Sequence, residues 1–344
     1  MRRFWLRFQK AINLVQSTAD YIRPILARLD RLWDAAGVEP DYRSSMRSTM
    51  APLQARAADS RDVRESLSIL ALPSLCCEAA GGDRRQAEMV TLAWSLLYTA
   101  AHALDSVEDE DIEAGSSPHA DRNSIINVAT GLIASAGLAL SLLEETGVDS
   151  AAACAIRNDF YRAGLKMCAG QHADLTQSES TLQQCWHIAE AKSATFFAMA
   201  CRAAAQLVID DSARIDLFGQ FGYYLGILIQ IGDDMEGLWP KAGGRSDLAA
   251  QRRGTLPVAY AMHVVPPEQS SRLSQCLETA PVDASAEVEA RRQIIESGAA
   301  LYLTIEAEQR RHLAETALRA AAPPSPARDE LLLLLYRVAA LGHT

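Results

Sequence analysis

The sequence lacks the marks of a sheet protein: no run alternates apolar and polar residues between hairpin turns. Aromatics make up only 6% of the chain, and there are 13 prolines in 344 residues, so little interrupts helix. Massed cations are missing as well. A net charge of -10 argues against a nucleic-acid partner, since a phosphate backbone must be met by clustered Lys and Arg. No Cys-x-x-Cys occurs among Cys76, Cys77, Cys154, Cys168, Cys185, Cys201 and Cys276, and their number is odd. That argues against a disulfide framework or zinc ligands, and for reduced thiols, mostly buried among apolar neighbours, in the cytoplasm. The N-terminus MRRFWLRFQKAINLVQ has no continuous signal-peptide core. It reads as an amphipathic first helix packing on the bundle, with peripheral contact to an anionic membrane as the other reading. The longest uncharged stretch, Asn123 to Leu143, is long enough to span a bilayer. Asn127, Thr130, Ser135, Ser141 and two glycines within it favour a buried bundle helix, and no membrane span is expected.

What is present is helical periodicity from end to end, rich in alanine and leucine. Residues 3–37 read as one or two helices closed by Gly37 and Pro40. Apolar patterns follow over 62–80 and 85–111, separated by Gly81-Gly82-Asp83. Beyond Ala114-Gly115-Ser116-Ser117-Pro118 come patterns over 121–146, 150–175, 180–208 and 212–239. Lys241 to Gly254 is a connector rich in glycine and charge. Three or four further helices complete the chain, broken near Pro266-Pro267 and Ala322-Pro323-Pro324. No solenoid period occurs. The fold class is all-α, a single domain over 1–344 with a motif-bearing core at about 62–260.

Two of the apolar helices end in acids. In the first, Asp105 and Asp109 are four apart and Glu108 is three from Asp105, so they share a helix face. In the second, Asp233 and Glu236 share a face, with Asp234 beside them and Gln230 one turn earlier. Like charges so placed repel unless a cation intervenes. A few oxygen donors suit magnesium, which keeps water and phosphate as its remaining ligands. Two facing clusters can hold several ions around one diphosphate, so that an allylic carbon–oxygen bond breaks and apolar walls keep the carbocation dry. His102, three before Asp105, reads as an ordinary core or surface histidine. One acid cluster alone is an ordinary solvated helix end; two, each closing an apolar helix, point to a site.

These segments also carry a resemblance. Gly226-x-x-x-Gln230-Ile231-x-Asp233-Asp234 resembles the second aspartate-rich helix of the trans-isoprenyl diphosphate (polyprenyl) synthases. Asp247-Leu248 and Gly254-Thr255-Leu256-Pro257 resemble the segment that follows it. Lys192-Ser193-Ala194-Thr195-Phe196-Phe197 is similar to the family's Lys-Thr helix, and Gly170-Gln171 to its Gly-Gln turn. The likeness holds in consistent order over about 62–260. It implies a class I isoprenoid synthase bundle around a central apolar cavity, and a homodimer. It implies metal ligands at Asp105, Asp109 and Asp233, with Asp234, Glu108 and Glu236 in the acid set, and roughly three Mg2+ ions with the diphosphate. Lys192, Lys241 and one of Arg252 and Arg253 would meet diphosphate oxygens, as cations do, while Gln230 lines the site. Small residues at Ala100 and Ala101 leave the pocket floor open to a prenyl diphosphate of fifteen carbons or more. Tyr98, two turns before Asp105, either limits depth or packs in the core.

Departures from the pattern shape the expected activity. Ser106 replaces the second aspartate of the first motif, and Gly237 stands where the second motif ends in aspartate. Glu65-Ser66-Leu67-Ser68-Ile69-Leu70-Ala71-Leu72-Pro73 occupies the place of a Gly-Lys-x-x-Arg-Pro element that anchors isopentenyl diphosphate, with Leu72 in place of the arginine; Arg64 is the nearby base. Glu113-Ala114-Gly115 replaces an Arg-Arg-Gly. A second diphosphate needs cations to bind, so the expectation is a terpene synthase on the polyprenyl-synthase frame, releasing pyrophosphate from one prenyl diphosphate. Ala103-Leu104-Asp105-Ser106-Val107-Glu108-Asp109 is also similar to the first motif of squalene and phytoene synthases. The alternatives are therefore a prenyltransferase, by head-to-head coupling or chain elongation, and an inactive regulatory subunit.

Overall fold

A computed structural model describes residues 25, 27–55, 69–108, 121–176, 181–239, 246–250 and 254–341. Every regular element among the described residues is helical. After a helical stretch over 27–35 come α1 (Pro40–Ala55), α2 (Leu72–Ala80), α3 (Glu88–Glu108) and α4 (Arg122–Ser141). Next are α5 (Ser150–Thr176), α6 (Leu182–Ala189), α7 (Thr195–Gln206) and α8 (Ser212–Leu238). The chain closes with α9 (Leu256–Val264), α10 (Pro267–Thr279), α11 (Ala284–Glu296), α12 (Ala299–Ala321) and α13 (Pro326–Leu341). The basic N-terminal segment, Arg64, Asp109, Lys241, Arg252 and Arg253 lie outside the described residues.

The chain divides into two compact units. One comprises Met1–Asn158, Ala203–Asp210 and Ala322–Leu334. Its core is α3 against α4. The former buries Leu92, Trp94, Leu96 and Ala100, the latter Val128, Leu132, Ala136 and Leu140 at regular four-residue spacing. Burying each such leucine contributes about 1.5–3 kcal/mol. Helix α4 is long and apolar enough to cross a membrane by length and composition. Of its polar residues Ser135 serves the interior, while Asn127, Thr130 and Ser141 are exposed: Trp33 Nε1 donates to Ser135 Oγ at 2.9 Å, and that hydroxyl donates to Gly131 O at 2.7 Å. The glycine punctuation before α3 is a built corner. Gly81 ends α2 at φ 109°, a left-handed cap, and Asp83 and Gln86 cap the next turn reciprocally.

The other unit comprises Asp159–Arg202, Asp211–Ala321 and Leu335–Thr344. It is organised on α8, which packs along α12 on one side and against the segment before α7 on another. Two glycines one turn apart make the second contact possible. A Cβ on Gly226 would lie 2.5 Å from Ser193 O and 2.8 Å from Ala194 Cα, and one on Gly222 would strike Phe197 O. Only hydrogen fits there.

Three differences from the sequence reading have physical causes. The helix expected over 180–208 is broken by a π turn, Glu190–Ala194, in which Thr195 Oγ1 donates to Glu190 O at 2.9 Å. Five helices, not three or four, follow the connector, because the Asp283 cap and Gly298 at φ 85° divide what composition alone runs together. Cys76, Cys77, Cys185 and Cys201 are buried and outside any disulfide, as expected, but Cys154 and Cys168 are exposed. They lie two heptads apart on α5, where Tyr161, Leu165 and Leu175 are exposed as well.

Candidate metal and diphosphate site

The last turns of α8 separate their acids by direction. Asp233 and Glu236 are exposed, whereas Asp234, a 100° step further round, is only 8% exposed. Both oxygens of Asp234 are engaged. Oδ2 accepts from Leu256 N at 2.7 Å, and Oδ1 accepts from Gln230 Nε2 at 2.7 Å. Gln230 Oε1 in turn accepts from Ser193 Oγ at 2.7 Å. A continuous set of bonds therefore runs from the π turn through α8 to the start of α9. It also explains the Thr255-Leu256-Pro257 segment. Pro257 sits in the first turn of α9, and the amide of Leu256, which no helical carbonyl can reach, is satisfied by Asp234.

Burial raises the Asp234 carboxyl to about 7, and the charges of Asp247 and Asp174 push it the same way, while the bonds from Leu256 and Gln230 oppose them. Asp234 thus faces inward, apart from the open face of Asp233 and Glu236, and acts as a fastening between helices. Gln230 reaches the same carboxylate rather than lining the exposed face.

Lys192 occupies the π turn, and its Nζ donates to Asp174 Oδ2 at 2.7 Å. A cation on an apolar helix needs a partner, and α5 supplies one. Gly170 makes the approach possible: a Cβ there would lie 2.7 Å from Ala191 Cβ and 3.2 Å from Lys192 Cγ. The Gly-Gln pair is thus a seat for the lysine turn.

At the end of α3, Asp105 and Glu108 are half-buried. Ser106 is exposed and its hydroxyl donates back to His102 O at 2.9 Å, while Arg122 Nη2 donates to Val107 O at 3.0 Å. Tyr98 lies between two rings, 5.5 Å from Trp94 and edge-on to His102 at 4.4 Å. Ala100 is fully buried and Ala101 half-buried.

Among the described residues no three His, Cys, Asp or Glu side chains gather into a metal cage. Magnesium takes one or two carboxylates and leaves its other positions to water and phosphate, so separate open acids suit it. Asp233 and Glu236 are open donors of that kind. Sequence reasoning assigned no role to Asp174, Ser193 or Asp247. Asp174 is eighteen residues from its lysine on another helix, and nothing in the spacing pairs them.

An all-α chain with acid-tipped helices, a seated lysine turn and a fastened Thr-Leu-Pro helix is of the isoprenoid-synthase class. A family model described as polyprenyl synthetase matches residues 50–295, and the chain belongs to that family. It is 29% identical over 204 residues to a geranylgeranyl diphosphate synthase of Mycobacterium tuberculosis, covering 56% of this chain and 57% of that one; the chain spans just over half of this curated relative. The fold is similar to that of a geranylgeranyl pyrophosphate synthetase of Pyrococcus horikoshii, with a TM-score of 0.81, 21% identity and coverage of 96% and 99%. It is also similar to a geranylgeranyl pyrophosphate synthase of Corynebacterium glutamicum in complex with isoprenyl diphosphate and magnesium, with a TM-score of 0.71, 16% identity and coverage of 95% and 98%.

Proposed function

We propose that this protein is a magnesium-dependent prenyltransferase that ionises an allylic prenyl diphosphate and extends the freed chain with isopentenyl diphosphate. The carrying observation is the family match over residues 50–295, together with open acids at Asp233 and Glu236 on a helix end fastened from both sides. Asp105, Asp109, Glu108, Asp233 and Glu236 would hold the ions, Asp234 fixes α8 to α9, and Lys192, Lys241 and Arg253 would meet diphosphate oxygens. Bound magnesium would neutralise the departing pyrophosphate. The electron pair of the allylic carbon–oxygen bond leaves with pyrophosphate, the π pair of the acceptor's double bond forms the new carbon–carbon bond, and loss of a proton from the acceptor's adjacent carbon restores a double bond. Chains of fifteen carbons or more are favoured by the small side chains of Ala100 and Ala101 beside Asp105.

A second reading has its own support. Leu72, in place of the arginine, is fully buried at the head of α2, so no cation stands at that position for a second diphosphate. On this reading the enzyme is a terpene synthase that cyclises or quenches a single prenyl diphosphate. Incubation with geranyl, farnesyl and geranylgeranyl diphosphates, with and without isopentenyl diphosphate, separates the two by pyrophosphate release and product mass. Elongation requires the acceptor and adds five-carbon units. Turnover without acceptor selects the second reading, a doubled carbon count selects head-to-head coupling, and silence under all conditions leaves a regulatory subunit.

A homodimer is part of the proposal. Its support is the exposed stripe of Tyr161, Leu165 and Leu175 on α5, which a second copy would cover. Sedimentation should give a dimer that Leu165→Glu weakens. A cytoplasmic setting suits cysteines that form no disulfide.

A further inference from the structure

The second acid motif ends in glycine at position 237, one turn beyond Asp233, and the structure does not leave that place empty. A Cβ built on Gly237 would collide with Asp247 Oδ2 and stand 2.5 Å from Asp247 Cγ and 3.1 Å from Oδ1. The carboxylate of Asp247 lies over the Cα of Gly237, in the space that a side chain at 237 would fill. From these contacts we infer that Asp247 supplies, from outside the helix, the carboxylate that α8 lacks at 237, and that it serves as a binding residue for the divalent ion and its diphosphate.

The placement is held on every side. Asp247 N donates to Gly237 O at 3.0 Å, tying the connector to the last turn of α8. Ser246 before it is buried, and its hydroxyl donates to Glu287 Oε1 at 2.7 Å. Leu248 after it is buried in the same apolar cluster as Leu238, Val258 and Ile294. Arg291, whose guanidinium also pairs with Glu287, donates through Nε to Leu238 O at 2.8 Å. A residue pinned through both neighbours and its own amide has little freedom to take its side chain elsewhere. Glycine at 237 is then a requirement of the arrangement: any Cβ would evict the carboxylate. Residues 233 and 237 are four apart on a helix, so the borrowed carboxylate stands over the same face as Asp233.

This inference rests on the metal-binding reading of α8 proposed above, and the test keeps the two apart. Full-length wild type, Asp247→Asn, Gly237→Ala and the double variant Gly237→Asp with Asp247→Asn are titrated with Mn2+ in the presence of inorganic pyrophosphate. Bound metal is read by electron paramagnetic resonance and folding by circular dichroism. Asp247→Asn is isosteric and keeps the backbone bond, so it should stay folded while losing about tenfold or more in metal affinity. Gly237→Ala should lose a similar amount although it removes no acid. The double variant should recover most of the loss, because the acid is returned to the helix. Wild-type affinity in Asp247→Asn overturns the inference alone, as does a folded double variant without recovery. Absence of metal binding by the wild type overturns the reading of the site as well.

Discussion

The two acid-bearing helix ends depart from the family pattern in the same way, yet the structure treats them differently. At the end of α8 the missing acid is met by another carboxylate lying over Gly237, and the neighbouring Asp234 is locked between Gln230 and Leu256. At the end of α3 the missing acid is Ser106, whose hydroxyl turns back to its own helix at His102 O. A lost side chain at a position that a second segment can reach need not be a lost function. At an exposed position such as Ser106 on α3, a local backbone bond takes over.

Several substitutions can break or sharpen this contrast. The largest effect is expected at the intact acids. Asp233→Ala and Asp105→Ala should each lower kcat for pyrophosphate release by about 10²–10³-fold, the typical cost of removing charge stabilisation at a leaving group. A wild-type rate in Asp105→Ala would leave α8 as the sole acidic end that matters. Next comes the frame of the better-built end. Gly226→Ala drives a Cβ into the backbone at Ser193 and should destabilise by at least about 1–3 kcal/mol, read from denaturant unfolding.

A smaller effect distinguishes the locked acid by pH. The carboxyl of Asp234 is raised from its ordinary value of 3.8 to about 7, so between those values the folded chain holds a proton that the unfolded chain has released. Its contribution to stability is complete below about pH 3.8 and is lost as pH rises through about 7. Melting of metal-chelated protein across that window should therefore show a decline that Asp234→Asn flattens. The smallest effect belongs to the uncompensated position. Ser106→Asp adds one exposed charge and should strengthen Mn2+ binding by no more than about fivefold, the worth of a single exposed ion pair.

Spacing made much of this readable in advance. The all-α class, the apolar helices and the acids at their ends follow from periodicity, and Lys192 could be expected to have a partner because a cation among apolar residues requires one. The identity of that partner was not readable, since Asp174 reaches it through tertiary packing seated on Gly170. Adjacent aspartates look alike in sequence; that Asp233 is open and Asp234 buried depends on which side of α8 faces α9. Gly237 read as a plain loss because the carboxylate over it comes from ten residues downstream, beyond any helical spacing.

The π turn at Glu190–Ala194 has a consequence for how this segment can change. A π turn accommodates one residue more than regular winding would, so excising a single residue there would let the helix close into ordinary register. The helices on either side would keep their faces, because the wide turn already absorbs the extra residue, and only the residues of the turn itself would be redirected. The ammonium group of Lys192 would swing off its seat without any side chain being altered, making this a place where a one-codon deletion redirects a charge.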